Sequence, residues 1–164
     1  MVRLLVTYME QLEEPAGPLL PMPTADISVR RESPQLSEYL SLYRSVGEPL
    51  QWDLRVPLDE LAEFLLSPAT GLYILRDKAH PIGLCEFVEL GAPDVELTHF
   101  GLVPAAQGKR FGPYLLDVGL RSAWAHKARR VWLHTDTNDH PKAKATYERA
   151  GFKVFAEKFE EFPD

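Results

Sequence analysis

Several features that would restrict the class of this protein are scarce in its sequence. The 164 residues include one cysteine, Cys85, so the chain has no internal disulfide framework and gives no sign of export. No apolar run approaches the ~18–20 residues that would cross a bilayer. The first ten residues are too short and too soon acidic for a signal peptide. We therefore expect a cytoplasmic protein with no membrane partner.

Positive charge is also scarce. Lysine and arginine together number 18 against 24 aspartates and glutamates, and the net charge is −6. Nucleic-acid binding takes most of its affinity from cations that meet phosphates, so a nucleic-acid partner is disfavoured. The acidic balance suits a cationic or amine-bearing substrate better, although only weakly.

What is present is ordinary for a globular protein. Hydrophobic residues make up 45% of the chain and charged residues 26%. The length fits one domain over residues 1–164. There are no internal repeats and no low-complexity tract.

Hydrophobic periodicity predicts a mixed sheet. Strands are predicted over Val2–Met9, Ile27–Arg31, Leu72–Arg76, Ile82–Leu90, Val95–Val103, Arg130–Thr137 and Phe152–Phe162. Four helices are predicted. The first runs from a Ser33 cap, with Pro34 in its first turn, to about Ser45, and the second covers Leu58–Leu66. The third runs from Gly112 or Pro113 to about Lys127, and the fourth covers Pro141–Ala150 with Gly151 as its stop. The three central strands form an antiparallel meander, and the helix that follows allows a parallel crossover to the next strand.

A loop with two glycines and two cations precedes the third helix. It reads Gln107-Gly108-Lys109-Arg110-Phe111-Gly112-Pro113. Unpaired N–H groups at a helix N-terminus bind anions, and the glycines let the backbone approach closely. The loop lacks both G-x-x-x-x-G-K-[ST] and G-x-G-x-x-G, so a P-loop hydrolase and a dinucleotide fold are disfavoured. By itself, the loop is also compatible with an ordinary helix entry.

In its context, the loop resembles part of the GCN5-related N-acetyltransferase (GNAT) superfamily. The family's acetyl-CoA loop reads Gln/Arg-x-x-Gly-x-Gly/Ala; here Gln107, Phe111 and Gly112 fit, and Arg110 departs. A later family motif is matched by Asn138, Ala143, Tyr147, Gly151 and Phe152. The Asn-Asp-His-Pro insertion resembles one bacterial branch of the family. The resemblance extends over residues 72–156.

This resemblance implies a fold, a co-substrate and a set of binding residues. The fold is α/β (α+β), with a mixed, mostly antiparallel central sheet of about six or seven strands and about four helices. The co-substrate is acetyl-CoA. The residues that would bind it are Leu102 and Val103, through their N–H groups, then Gln107, Gly108, Lys109, Arg110, Phe111, Gly112 and Asn138. We expect Arg110 to have a negative φ, with its cation near the pyrophosphate. A turn or cap role for Asn138 stays open.

Two residues are predicted to be catalytic. The resemblance places the Tyr147 hydroxyl near the thioester sulfur, where it can protonate the departing thiolate; packing into the core is the alternative. The family also places a glutamate base at Glu96. Strict alternation puts Glu96 on one face with Phe100 and Leu102, which would desolvate it and raise its pKa. A solvated rim position is the alternative, and His99 and His134 are rival bases.

Other side chains give weaker signals. His134, Asp136, Asp139 and His140 invite a metal site, but their spacing is poor and we predict none. Cys85 lies mid-strand and is expected to pack. Tyr43, Glu48 and Trp52 would line the lip of the acceptor pocket, where Trp52 either binds a group or packs.

The sequence therefore predicts an acetyl-CoA-dependent N-acetyltransferase, with direct attack by a primary amine of a small molecule or peptide. The alternatives are a coenzyme A-binding sensor without catalysis and an acyltransferase with another acyl donor or an alcohol acceptor. The acceptor and the oligomeric state are not determined, although the family includes many dimers and a homodimer stays open.

Overall fold

Seven strands and four helices account for most of the chain in the computed structural model, which describes residues 1–164. The strands are β1 (Val2–Gln11), β2 (Ile27–Arg31), β3 (Gly71–Asp77), β4 (His80–Val88), β5 (Asp94–Leu102), β6 (Arg130–Asp136) and β7 (Lys153–Phe162). The helices are α1 (Leu36–Gly47), α2 (Leu58–Leu66), α3 (Phe111–Ala125) and α4 (Ala143–Arg149). None of the helices combines the length and apolar character that crossing a membrane requires.

The strands form one sheet in the order β2-β3-β4-β5-β6-β1-β7. Only β5 and β6 are parallel, and all other neighbours are antiparallel. The predicted mixed sheet, its central antiparallel meander and its parallel crossover through α3 are thus confirmed. The crossover places the N-terminus of α3 at the carboxyl end of β5, where open sheets gather their ligands.

The first strand of the chain lies between the last two. β1 pairs with β6 over Val6–Gln11 and with β7 along nearly its whole length. Val6 and Met9 of β1 are fully buried. The N-terminal strand is therefore an interior strand of the sheet.

The helices cover the two faces of the sheet unequally. The larger core lies under α3 and α4 and includes Leu97, Leu115 and Tyr147. The smaller core lies under α1 and α2 and includes Tyr39, Tyr43 and Leu61. We call the first surface of the sheet the α3 face and the second the α1 face.

A β-bulge in β5 corrects one prediction. Glu86 of β4 pairs with His99 and the next residue, Phe87, pairs with Leu97, so Thr98 is the extra residue. The inserted residue reverses the alternation of side chains. Leu97 lies in the larger core, and Phe100 and Leu102 pack against that core. Glu96 therefore lies on the opposite, α1 face, and its predicted alignment with Phe100 and Leu102 is wrong.

Helix ends differ from the predictions by one or two residues. α1 begins after Gln35, which makes no side-chain cap, so the predicted Ser33 cap is wrong. α4 begins at Ala143 rather than at Pro141. The predicted stop at Gly151 is confirmed, because its φ is +104°.

Candidate active site

A gap opens between the two parallel strands of the sheet. β5 and β6 pair only over Asp94–Glu96, whereas β5 remains paired with β4 as far as Leu102. In an antiparallel pair, N–H groups point alternately toward the partner and away from it. The Val103 N–H donates to the Ile82 carbonyl at 2.9 Å. The N–H groups of Phe100 and Leu102 therefore point away from β4 and into the gap.

This geometry changes the pair of backbone N–H donors, Leu102 and Val103, that the family resemblance implies for binding acetyl-CoA. Leu102 keeps its predicted position, with an N–H directed into the gap. Val103 does not, because its N–H is already bonded to Ile82. Phe100 was missed by sequence reasoning, since only the register of the β4–β5 pair reveals which N–H groups are free of the ladder.

The loop at the end of the gap presents backbone donors and two cations. Gln107, Gly108, Lys109 and Arg110 are all exposed, and nothing lies within 4 Å of the position of a Cβ on Gly108. No side chain caps the N-terminus of α3, so the N–H groups of its first turn are free for an anion. Such a cradle can hold an anion.

Two residues of this loop have left-handed backbone conformations. Gly108 has φ +78° and Arg110 has φ +66°. The expectation of a negative φ at Arg110 is therefore wrong. A residue with a Cβ at such a φ costs about 1–2 kcal/mol. The left-handed conformation of Arg110 turns the backbone from the loop into α3. The Arg110 side chain is exposed.

The other two predicted loop residues play different parts. The Phe111 side chain is buried in the larger core, so only its N–H can reach a ligand. Gly112 has ordinary space for a Cβ, 3.7 Å from the Phe100 ring, so close packing does not require glycine there.

Tyr147 lies on the α3 face beside the gap. Its ring centroid is 5.8 Å from that of Phe100 and 6.0 Å from that of Phe152, and the residue is almost completely buried. Burial raises the pKa of its hydroxyl, so the group stays protonated. The ring therefore packs into the core and the hydroxyl keeps its proton, while its part in the reaction stays a prediction.

Glu96 lies on the α1 face near the start of the gap. Its carboxylate is 3.8 Å from Nε2 of His134 on β6, and its side chain is 22% exposed. Desolvation by burial raises the pKa of Glu96, and the nearby His134 and His99 offset part of that rise. Glu96 and Tyr147 therefore lie on opposite sides of the sheet, with the gap between them.

A buried polar network on the α1 face was not predicted. Glu86 of β4 is only 1% exposed. Its carboxylate accepts hydrogen bonds from the Tyr39 hydroxyl, from Thr98 Oγ1 at 3.3 Å and from His99 Nδ1 at 2.7 Å. The bulge brings Thr98 and His99 to the same carboxylate. A glutamate inside an otherwise apolar strand was the one signal that the sequence offered.

Aromatic rings enclose the histidine of this network. The His99 ring centroid is 4.6 Å from that of Trp52 and 5.0 Å from that of Tyr43. Both aromatic residues are buried. Trp52 therefore packs against His99, one of the two roles left open for it.

Asn138 is a turn residue that ties two connecting segments together. Its N–H donates to Asp136 Oδ1 at 2.7 Å, and its Nδ2 donates to the Leu50 carbonyl and to Gln51 Oε1. The side-chain amide donors thus serve the connection between α1 and α2. Only Oδ1 is left to accept a hydrogen bond from a ligand.

The candidate metal ligands and the cysteine have other partners. Asp136 forms an ion pair with Arg55, and Asp139 accepts a hydrogen bond from the Thr135 hydroxyl. No three His, Cys, Asp or Glu residues lie close enough to hold a metal ion. Cys85 is buried and its thiol pKa is raised by burial, so it is a poor nucleophile.

Solved structures with the same fold include several acetyltransferases. A GCN5-related N-acetyltransferase from Sphaerobacter thermophilus has a TM-score of 0.72 at 19% identity, over 95% of this chain and 50% of that one. A GCN5-related N-acetyltransferase from Kribbella flavida has a TM-score of 0.64 at 16% identity, over 95% of this chain and 56% of that one. This chain thus spans about half the length of those two proteins.

A smaller protein shares the fold as well. The spermidine N-acetyltransferase from Vibrio cholerae, in complex with CoA and spermine, has a TM-score of 0.61 at 23% identity, over 78% of this chain and 81% of that one. A comparison with curated protein sequences finds no match. The sequence profile of the Acetyltransferase (GNAT) family matches residues 35–152. The chain therefore belongs to the GNAT family of acetyltransferases, whose members transfer acyl groups from coenzyme A.

Proposed function

We propose that this protein is an N-acetyltransferase that moves the acetyl group of acetyl-CoA to a primary amine by direct attack. The observation that carries the proposal is the gap between β5 and β6, which leads to the uncapped N-terminus of α3. The gap supplies backbone donors beside a thioester carbonyl, and the helix end supplies donors for the pyrophosphate. Gln107, Gly108, Lys109 and Arg110 would hold that pyrophosphate.

The two sides of the gap divide the chemistry. On the α1 face, Glu96 accepts a proton from the ammonium group of the acceptor, and its raised pKa suits a base. The free amine then attacks the thioester carbon, while the N–H groups of Phe100 and Leu102 stabilise the oxyanion. On the α3 face, the Tyr147 hydroxyl donates a proton to the departing thiolate.

Calorimetry tests the binding half of this proposal. We expect acetyl-CoA to bind with a micromolar dissociation constant, whereas ADP and NAD bind much more weakly. Turnover of acetyl-CoA with a panel of amines tests the other half. Binding without turnover on any amine would instead indicate a coenzyme A sensor, and faster turnover of longer acyl-CoAs would indicate another acyl donor.

Replacing Tyr147 with phenylalanine tests the proton donor. Tyr147→Phe keeps the packing against Phe100 and Phe152 but removes the hydroxyl. We expect kcat to fall by about 10²-fold or more, with little change in the dissociation constant of acetyl-CoA. Tyr114→Phe on α3 is a matched control, because Tyr114 is also buried but is assigned no part in the reaction. An unchanged kcat would remove Tyr147 from the chemistry.

A further inference from the structure

The last strand of the chain, β7, forms one edge of the sheet and leaves a long row of backbone groups unpaired. The strand has ten residues and pairs on one side with β1. No hydrogen bond outside that ladder involves a backbone group of residues 153–162. In an antiparallel pair, alternate N–H and C=O groups point away from the partner strand. The outer side of β7 therefore presents donors and acceptors to which another strand can pair.

The two edges of the sheet differ in how well they resist such pairing. At the other edge, β2 has only five residues and exposes Arg30 and Arg31. Short strands and exposed charges protect a sheet edge from a second sheet. The exposed large apolar side chains of the strands all lie on β7 instead, at Val154, Phe155 and Phe159. β7 therefore has the character of a strand that is covered by a partner.

The second half of β7 is regular and alternates between the two faces of the sheet. The irregularity in its pairing with β1 lies before Ala156, so residues 156–162 follow an unbroken register. Lys158 and Glu160 lie on the face of Tyr8, since the Lys158 Nζ is 4.7 Å from the Tyr8 ring centroid and the Tyr8 hydroxyl donates to Glu160. Phe159 lies between them in the chain and therefore on the opposite face.

A second copy of the chain fits this edge in one register. A two-fold axis perpendicular to the sheet sets one residue of β7 opposite its own copy, and opposite side chains share a face. Like charges directly opposite each other are destabilising, so four residues cannot occupy the axis. They are Glu157, Lys158, Glu160 and Glu161. Ala156 and Phe162 end the regular stretch and would give a shorter pairing. Phe159 is therefore the residue at the axis.

The charges next to Phe159 are complementary in this register. Lys158 of each copy lies opposite Glu160 of the other, which makes two ion pairs on one face of the joined sheet. The two Phe159 rings meet on the other face, where they form an aromatic cross-strand pair.

One contact in this register is repulsive, and a neighbouring arginine offsets it. Glu157 of each copy lies opposite Glu161 of the other. Arg3 pairs with Glu161 in the register of β1 and β7, on the same face. Its guanidinium carbon is 4.5 Å from the centroid of the Phe159 ring. A cation thus lies beside each of the two glutamate pairs.

We propose that two copies of this chain pair along β7, antiparallel and centred on Phe159, so that their two sheets join into one. This contact is closed by its own symmetry, because each copy uses its single β7 edge. Pairing of β7 with β2 of another copy would leave a free edge at each end and would continue into an open assembly. The five residues of β2 also offer fewer backbone partners than β7 does.

Sedimentation velocity of the purified wild type gives the first test. We expect a dimer at micromolar concentration. A monomer across the micromolar range would overturn the proposal. Species that keep growing with concentration would indicate the open pairing of β7 with β2, and would overturn it as well.

Charge reversal at the two ion pairs tests the register. Lys158→Glu and Glu160→Lys each place like charges opposite one another in both pairs, so we expect each to weaken the dimer by at least about 10-fold. The double variant exchanges the two charges and should restore the dissociation constant to within about threefold. Leu66→Glu, which alters an exposed apolar residue of α2, is the control and should leave the dimer unchanged. A dimer unaffected by the single reversals, or one that the double variant does not restore, would overturn the proposal.

Hydrogen exchange of the wild type gives a test that needs no variant. The backbone amides of residues 156–162 should become better protected as the protein concentration rises through the dissociation constant, because pairing covers the outward N–H groups. The amides of β2 should not change. Protection of residues 156–162 that is independent of concentration while the protein passes from monomer to dimer would overturn the proposal. Neither acetyl-CoA nor an amine is present in these measurements, so their outcome is independent of the proposed function.

Discussion

Arg110 illustrates how one backbone angle determines the shape of a binding loop. The residue precedes α3 and has φ +66°. Glycine adopts this left-handed conformation without strain because it has no Cβ. Arginine accepts the strain and adds a charge beside the cradle. The backbone conformation and the charge of this residue can therefore be separated by substitution.

Two substitutions of Arg110 make that separation. Arg110→Ala removes the charge and keeps the strain, whereas Arg110→Gly removes both. We expect the two variants to weaken acetyl-CoA binding by a similar few-fold factor at low salt, and less at high salt. Arg110→Gly should melt at a higher temperature than Arg110→Ala, since it relieves strain of about 1–2 kcal/mol. Equal melting temperatures would show that the loop relaxes to another conformation when it is free.

Glu96 shows the opposite case, in which tertiary packing sets the chemistry of a side chain. The pKa of Glu96 is raised by burial, so its folded state holds the proton more tightly than the unfolded chain does. The stability that this group contributes is present below the pKa of the unfolded chain and is lost as the pH rises through the folded pKa. An ionised Glu96 therefore lowers the free energy of unfolding at neutral pH, as is common for residues kept for function.

Glu96→Gln should therefore separate stability from activity. At pH 7 we expect a higher melting temperature than that of the wild type, and the difference should vanish below about pH 4.3, the ordinary pKa of glutamate. The activity of Glu96→Gln should fall most at the low-pH end of the assay range, because at high pH the amine deprotonates without help. Glu13→Gln, at an exposed loop position, should show neither effect. A variant less stable than the wild type at pH 7 would contradict the role of burial.

At the scale of elements, α3 lies close enough to β4 to exclude a methyl group at one position. A Cβ on Gly119 would lie 2.9 Å from Cys85 Sγ and 3.2 Å from Phe87 Cε2. Both neighbours are fully buried. The close approach fixes the depth at which α3, and therefore its N-terminal cradle, rests on the sheet.

The two glycines of α3 form a matched pair for testing this contact. Overpacking in Gly119→Ala costs about 1–3 kcal/mol, offset by roughly 1 kcal/mol of helix propensity. We expect a net loss of free energy of unfolding in chemical denaturation. Gly112→Ala should be neutral or slightly stabilising, because its Cβ would be 3.7 Å from the nearest atom. Equal effects of the two substitutions would mean that helix propensity, rather than the contact of α3 with Cys85 and Phe87, determines the change in the free energy of unfolding.

At the scale of the whole molecule, the two ends of the chain complete the sheet together. β1 supplies a partner to both β6 and β7, and Val2 pairs with Phe162. Pairings of such high sequence separation form late and slow folding. The C-terminal third of the sheet therefore depends on the first eleven residues.

Met9 tests that dependence. It is fully buried near the C-terminal end of β1 and belongs to the larger core. We expect Met9→Ala to lower the free energy of unfolding by about 2–5 kcal/mol. Leu12→Ala, just beyond the strand and 60% exposed, should change it by less than about 0.5 kcal/mol. A small effect at Met9 would indicate that β1 contributes little to the stability of the sheet.

The sequence by itself determined the kind of fold, and it predicted an anion site before α3. Alternating apolar residues predict the strands, and the glycines and cations before α3 predict an anion site, because these signals act between residues close in the chain. The helix predicted around Tyr147 and its stop at Gly151 are likewise present in the structure. Such local preferences are properties of short segments and need no distant partner.

Only the tertiary structure decided which side chains share a face. The bulge at Thr98 moves Glu96 to the α1 face, and the pairing of Val103 with Ile82 selects Phe100 and Leu102 as the free donors. The contact of Glu86 with His99 and the insertion of β1 between β6 and β7 also depend on register between distant strands. One inserted residue reverses every later side chain, and that choice is made by packing across the sheet rather than by the sequence of the strand itself.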